Sequence, residues 1–288
     1  MHSGKGFVAA LDQSGGSTPK ALLAYGVTEA MYRGDEEMMN AVHAMRTRII
    51  KSKYFTSDRI LAAILFEDTM DRSIDGEYTA DFLWNRKGVI PILKIDRGLE
   101  NEKNHVRLMK EIPNLDSTLE HASKERHIFG TKERSVILDF DEQGIRDIVE
   151  QQFELALRVF SHGLVPILEP EVDINNPHKL ESERLLKRLI EEGLAKLSPE
   201  VKIMLKLTIP SENNLYESLL ADGHIVRIVA LSGGYSQDEA CRLLSLNRGM
   251  IASFSRAFAQ DLRYQQSEEE FDSALKLAAD KIYEASIS

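Results

Sequence analysis

The chain has 288 residues, 43% hydrophobic and 28% charged, enough to bury a full core in one large domain or two small ones. Acidic residues outnumber basic ones 46 to 36, a formal net charge of −10, which argues against nucleic acid or anionic membrane as partner. A phosphate ester, if bound, would need positive charge gathered in one place.

Cys241 is the single cysteine, so no internal disulfide forms, and a reducing cytoplasm is the expected habitat. The longest strand-like apolar runs, such as 60–66, fall far short of the roughly 20 residues a membrane span needs. The first strand starts within a few residues of Met1, no signal peptide is read, and His2-Ser3 has the look of an expression remnant.

Apolar, β-rich runs recur at 6–12, 60–67, 89–96, 134–140, 164–172, 202–209, 225–232 and 250–256. Between them the spacing turns helical. In 143–160 the apolar positions Ile145, Ile148, Val149, Phe153, Ala156, Leu157 and Phe160 fall at three- and four-residue steps, with Gly163 as terminator. Asn176 followed by Pro177 predicts the start of another helix, running through Leu185, Leu189 and Leu194. Ser236 and Ser267 each stand three residues before a glutamate, the spacing of a capping box. Asp35-Glu36-Glu37 and Glu268-Glu269-Glu270 suit exposed helix starts.

Eight strands alternating with helices predict a parallel sheet closed into a (β/α)8 TIM barrel, one domain over 1–288 with a C-terminal helix. A doubly wound open sheet is the alternative; no Gly-x-Gly-x-x-Gly opens a helix after the first strand, which counts against its dinucleotide-binding form. A barrel keeps its chemistry at the C-terminal ends of its strands. The late polar positions there are Asp12, Glu67, Lys94 with Asp96, Lys132 with Arg134, Glu169 with Glu171, Lys206, Ser232 and Arg256. Lys206 stands out. An ammonium among Met204, Leu205, Leu207 and Ile209 must find a carboxylate or lose its proton, and a neutral lysine is a nucleophile. The eight histidines show no metal-binding spacing, so no metal is expected. Cys241, Phe82 and Trp84 read as packing residues.

The motifs Ala9-Ala10-Leu11-Asp12-Gln13-Ser14-Gly15-Gly16-Ser17, Ile64-Leu65-Phe66-Glu67, Lys94-Ile95-Asp96-Arg97-Gly98, Val165-Pro166-Ile167-Leu168-Glu169-Pro170-Glu171, Met204-Leu205-Lys206, Leu231-Ser232-Gly233-Gly234 and Ser253-Phe254-Ser255-Arg256-Ala257 occur in this order. Together they resemble class I fructose-1,6-bisphosphate aldolases, above all the short bacterial branch. The resemblance implies a barrel that cleaves fructose 1,6-bisphosphate to dihydroxyacetone phosphate and glyceraldehyde 3-phosphate, a glycolytic lyase without cofactor or metal. By the same resemblance Lys206 is the Schiff-base lysine, Lys94 and Lys132 are further active-site lysines, and Glu169, beside Glu171, is the acid/base glutamate. Glu169 is expected to hold a proton near neutral pH, and neighbouring cations are expected to disfavour the Lys206 ammonium. Asp12 would orient the lysines; which carboxylate takes the C4 hydroxyl proton stays open.

Arg134 would bind substrate hydroxyls, while Ser232, Gly233, Gly234, Ser253 and Arg256 would hold one phosphate. Ser14, Ser17 and Lys20 match the site of the second. Three departures stand out. Ala21 replaces the arginine that follows the lysine in animal members, so a weaker grip or another residue is expected at the second phosphate. Glu133 takes the place of a frequent tryptophan, and no tyrosine tail follows Tyr283-Glu284-Ala285-Ser286-Ile287-Ser288. A transaldolase-like enzyme and a phosphate-binding scaffold are the alternatives; the first predicts an imine with other products, the second a lost key side chain. The expected partners are small sugar phosphates and further copies of the chain, as dimer or tetramer.

Overall fold

Eight parallel strands close on themselves in the computed structural model, which describes residues 1–288. In chain order they are β1 (Phe7–Leu11), β2 (Ile60–Phe66), β3 (Ile90–Lys94), β4 (Gly130–Ile137), β5 (Val165–Val172), β6 (Ile203–Thr208), β7 (Ile225–Leu231) and β8 (Met250–Phe254). Each pairs with its neighbours in sequence, and β1 pairs with β8, so the sheet is a (β/α)8 barrel without a free edge.

The longer helices are α1 (Thr18–Tyr25), α2 (Gly34–Lys51), α3 (Leu115–Lys124), α4 (Glu142–Ser161), α5 (Lys179–Leu194), α6 (Gln237–Leu244) and α7 (Glu268–Ser286). None is long and apolar enough to cross a membrane. Ser267 closes a full capping box at the start of α7, whereas at α6 Ser236 accepts a hydrogen bond from Glu239 N. Asn176 is not a helix cap: its side chain accepts from His178 N at 2.7 Å, a local turn, and α5 begins three residues later.

Strand alternation builds two packing layers. Val8, Ala10, Ala62, Ile64, Ile92, Ile167, Met204, Val229 and Ile251 fill the barrel interior. Phe7, Ala9, Leu11, Ala63, Leu65, Leu205 and Leu207 belong to the outer core shared with helices. Two residues beyond the inward Met204 and Ile167 come Lys206 and Glu169, so the same parity carries their side chains to the upper end of the barrel.

The fourth strand starts at Gly130, four residues before the sequence pattern placed it. Two physical features hid it. Gly130 lies so close to β5 that a Cβ there would stand 2.1 Å from Val165 O, and the charged Lys132 and Glu133 are wholly buried within the strand. Phe82 is buried as expected, but Trp84 is 60% exposed on a short π-helical segment and contributes little packing.

Candidate active site

The C-terminal ends of the strands open into a cavity of about 880 Å3, of whose 25 lining residues only three are hydrophobic, so the ligand it suits is polar. Asp12, Lys94, Lys132, Arg134, Glu169, Glu171, Lys206, Ser232, Gly233, Ser253, Arg256, Ser14, Ser17 and Lys20 all line it. Gly234 does not; it lies one residue beyond the lining, 3.7 Å at its Cβ position from the Arg256 guanidinium.

Lys206 Nζ lies 3.0 Å from Glu169 Oε1, with both side chains at most 5% exposed. Lys132 Nζ lies 2.9 Å from Glu169 Oε2, although off the direction of a hydrogen bond, and 2.8 Å from Asp12 Oδ2. Asp96 Oδ2 is 3.7 Å from the same ammonium. Three carboxylates thus share one lysine. Burial works against the Lys132 ammonium, but Asp12, Glu169 and Asp96 outweigh it and raise its pKa well above the ordinary value.

The carboxylates respond in kind. Burial raises Asp12, yet Lys132 and Lys206 dominate and hold it well below the usual range. Glu169 follows the same logic: burial raises it, Lys132 and Lys206 outweigh that, and the net direction is down. The resting Glu169 is therefore ionised, not the protonated carboxyl expected from sequence. Nor do bare cations crowd Lys206, because the neighbouring Lys132 is already matched by carboxylates.

Lys94 Nζ donates to Asp96 Oδ1 at 2.6 Å and to Asp96 O at 2.8 Å; burial lowers its pKa, with Asp96 opposing. The Arg134 backbone N–H donates to Asp96 Oδ2, and its guanidinium pairs with Glu171 at 2.5 Å. Asp96 thereby ties β3 to β4. From sequence Asp96 is legible only as a late polar strand position.

Arg46 is a second omission. It lies on α2 among the buried Val42, Met45, Ile49 and Ile50, at the spacing of an apolar helical face. A charged residue in such a stripe was the available signal. The guanidinium is 1% exposed, meets no carboxylate, and donates to Thr69 Oγ1 at 2.5 Å and to Gln13 O. Burial lowers its pKa to about 10, opposed by Asp12 and Asp68. Gln13 in turn donates to Ser255 Oγ at 2.5 Å, bridging the ends of β1 and β8.

At the opposite rim, Gly233 and Gly234 have φ of +60° and +117°, left-handed backbone, and a Cβ on Gly233 would stand 2.5 Å from Ile174 Cγ2. This turn follows β7 and exposes backbone N–H groups beside Arg256, which begins a short helix, Arg256–Ala259, after β8. Ser253 Oγ is buried in the cavity wall without a hydrogen-bond partner. Cys241 lies in α6, 6% exposed, and burial pushes its thiol up to about 11, so it packs as an apolar residue.

Comparison with known proteins identifies the family and the fold. The family model for fructose-bisphosphate aldolase class-I matches residues 1–214. A fructose-bisphosphate aldolase from Plasmodium falciparum, solved in complex with TRAP and a small-molecule inhibitor, superposes over 100% of this chain and 92% of its own, with TM-score 0.77 and 19% identity. Cgl0159 from Corynebacterium glutamicum superposes over 99% of this chain and 86% of its own, with TM-score 0.56 and 15% identity. These two likenesses concern the fold. The family match spans well over half of the sequence, and the chain belongs to the class I fructose-bisphosphate aldolase family.

Proposed function

We propose that the chain is an aldehyde-lyase that splits fructose 1,6-bisphosphate into dihydroxyacetone phosphate and glyceraldehyde 3-phosphate through an imine on Lys206, and runs the reverse condensation. The observation that carries this reading is the buried pair of Lys206 Nζ and Glu169 Oε1, 3.0 Å apart at the floor of the cavity.

The pair supplies both halves of imine chemistry. Glu169 takes a proton from Lys206, leaving a neutral amine that attacks the C2 carbonyl carbon, whose oxygen gains a proton. The protonated Glu169 then donates to the carbinolamine hydroxyl, water leaves, and an iminium remains. Breaking the C3–C4 bond sends its electron pair into the iminium, while the C4 hydroxyl gives its proton to a carboxylate and becomes the aldehyde. The enamine is reprotonated at C3, and water releases the ketone.

Lys132 stays cationic throughout, since Asp12, Glu169 and Asp96 hold its proton. It is the fixed cation whose charge keeps Asp12 and Glu169 aimed at the reacting carbons. Asp12, anchored by Lys132, is well set to receive the C4 proton. Arg134 and Glu171 present a linked pair for sugar hydroxyls, and the Ser232-Gly233 turn with Ser253 and Arg256 takes the phosphate nearest C2. The scheme uses no metal or cofactor. On this reading the enzyme serves glycolysis and gluconeogenesis in the cytoplasm, as a single chain or a homo-oligomer.

The test is a coupled assay of triose phosphate release with EDTA present. Production of both trioses from fructose 1,6-bisphosphate supports the reading; transfer of a three-carbon ketol unit to another aldose without free dihydroxyacetone phosphate favours a transaldolase-like reaction.

A further inference from the structure

The cations lining the cavity divide by what holds them. Lys132 and Lys206 meet Asp12 and Glu169, Lys94 meets Asp96, Arg134 meets Glu171, and Arg97 meets Glu67 at 2.5 Å. Lys20, Arg107 and Arg256 line the same cavity and meet no carboxylate. In a chain with net charge −10, three unmatched cations around one cavity mark where it takes anions.

Their places in the ring differ. Arg256 follows β8 and stands with the Ser232-Gly233 turn after β7. In a closed ring of eight, β7 and β8 lie across from β3 and β4. Arg107 belongs to that far side: it sits on the short strand Val106–Arg107, paired antiparallel with the end of β4, opposite Val136. Lys206, on β6, is next to β7. A ketose whose C2 is at Lys206 therefore has its C1 phosphate near β7 and β8, and its remaining carbons run towards Arg107.

The arginine is also preorganised. Glu100 N donates to Leu108 O at 2.9 Å, Lys110 N donates to Gly98 O at 3.0 Å, and Lys103 and Val106 exchange backbone hydrogen bonds at 3.0 Å, so the segment is a tied hairpin. Arg107 is half-buried on it, its Nε fixed on Glu100 O at 2.8 Å. The two terminal nitrogens are left uncommitted, a planar fork suited to two oxygens of one phosphate.

We propose that Arg107 is the specificity-determining residue for the far phosphate, the one that makes the cavity favour ketose 1,6-bisphosphates over ketose 1-phosphates. The proposal rests on the aldolase reading above. Lys20 is exposed on α1, which follows β1 next to β8, and has no such mount.

The test compares kcat/KM for fructose 1,6-bisphosphate and fructose 1-phosphate in the wild type, R107A and R107K. A charge-assisted, two-pronged contact predicts that the bisphosphate-to-monophosphate ratio falls about 10- to 100-fold in R107A and recovers in part in R107K. A ratio unchanged in R107A overturns the proposal, whether both activities drop together or neither does. If the wild type cleaves neither ketose, the aldolase reading is what fails. Arg107 is then judged by calorimetry with mannitol 1,6-bisphosphate and mannitol 1-phosphate: selective weakening of the bisphosphate by R107A upholds it, and equal effects or no binding overturn it.

Discussion

Asp12 and Lys132 form a buried ion pair, 2.8 Å apart, with side chains 10% and 3% exposed. They join the first strand end to the fourth strand, and Lys132 passes the link on to Glu169. Neutralising Asp12 removes the strongest partner of a buried ammonium while leaving Lys206 and Glu169 in place. D12N is expected to lower kcat for bisphosphate cleavage by about 10²- to 10⁴-fold, the range of a lost general base. Imine formation with dihydroxyacetone phosphate is expected to persist. Steady-state cleavage and borohydride trapping, run on the same preparation, separate the two; a D12N enzyme that cleaves at wild-type rate contradicts the role.

The ionisation of Asp12 also sets a pH dependence. Its folded pKa is depressed, so its stabilising contribution is present above the ordinary carboxylate range and is lost as pH falls through the depressed value. Arg46 bears on this limb. The guanidinium is buried behind Asp12 and fixes the Gln13 carbonyl next to it. R46M removes that positive charge and leaves the oxygens of Gln13 and Thr69 without a donor, a cost of roughly 1–3 kcal/mol for each buried group. The predicted outcome is a lower kcat with the acid limb of the pH–rate profile moved upward; R46K restores the limb in part. A profile of unchanged shape would reduce Arg46 to a packing residue.

Glu133 predicts a dependence of opposite sign. Its side chain alternates with the cavity-facing Lys132, is 0% exposed, accepts from Thr131 Oγ1 at 3.1 Å, and has Oε1 without a partner, while its backbone O accepts from Gln152 Nε2 of α4 at 3.1 Å. Burial raises its carboxyl well above the usual range, so the folded chain keeps it protonated where the unfolded chain ionises it. Folding takes up a proton between those two limits, and stability falls as pH rises through them, by at most about 1.4 kcal/mol per pH unit. Glutamine carries no such proton. Denaturant unfolding at pH 5.5, 7 and 8.5 is expected to show E133Q gaining on the wild type at each step; parallel stabilities across the range would rule the mechanism out.

These residues show what the sequence could disclose. Asp12, Lys94, Glu169 and Lys206 sit at strand ends, where period-two alternation and flanking apolar residues reveal a charge turned inwards. The barrel was legible for the same reason, from eight repeated strand patterns. Lys132 and Glu133 obscured their own strand, because adjacent charges suggest a loop until α4 and three carboxylates are in place to bury them. The ionised state of Glu169 was hidden because it depends on Lys132, a neighbour 37 positions earlier, as much as on burial. Arg107 and Arg97 were invisible as site residues, since only the hairpin that follows β3 brings them over the mouth. Ala21, read as a possible weakening, gains its counterpart in Arg107 through the proposal above.

The central claim is that Lys206 forms the covalent imine. Intact-protein and peptide mass spectrometry after borohydride reduction, with dihydroxyacetone phosphate and EDTA present, tests it most directly. The account predicts one reduced three-carbon phosphate adduct per chain, confined to the peptide that contains Lys206 and absent from K206R. An adduct on another lysine, or none from a folded protein that binds the ligand, would contradict it.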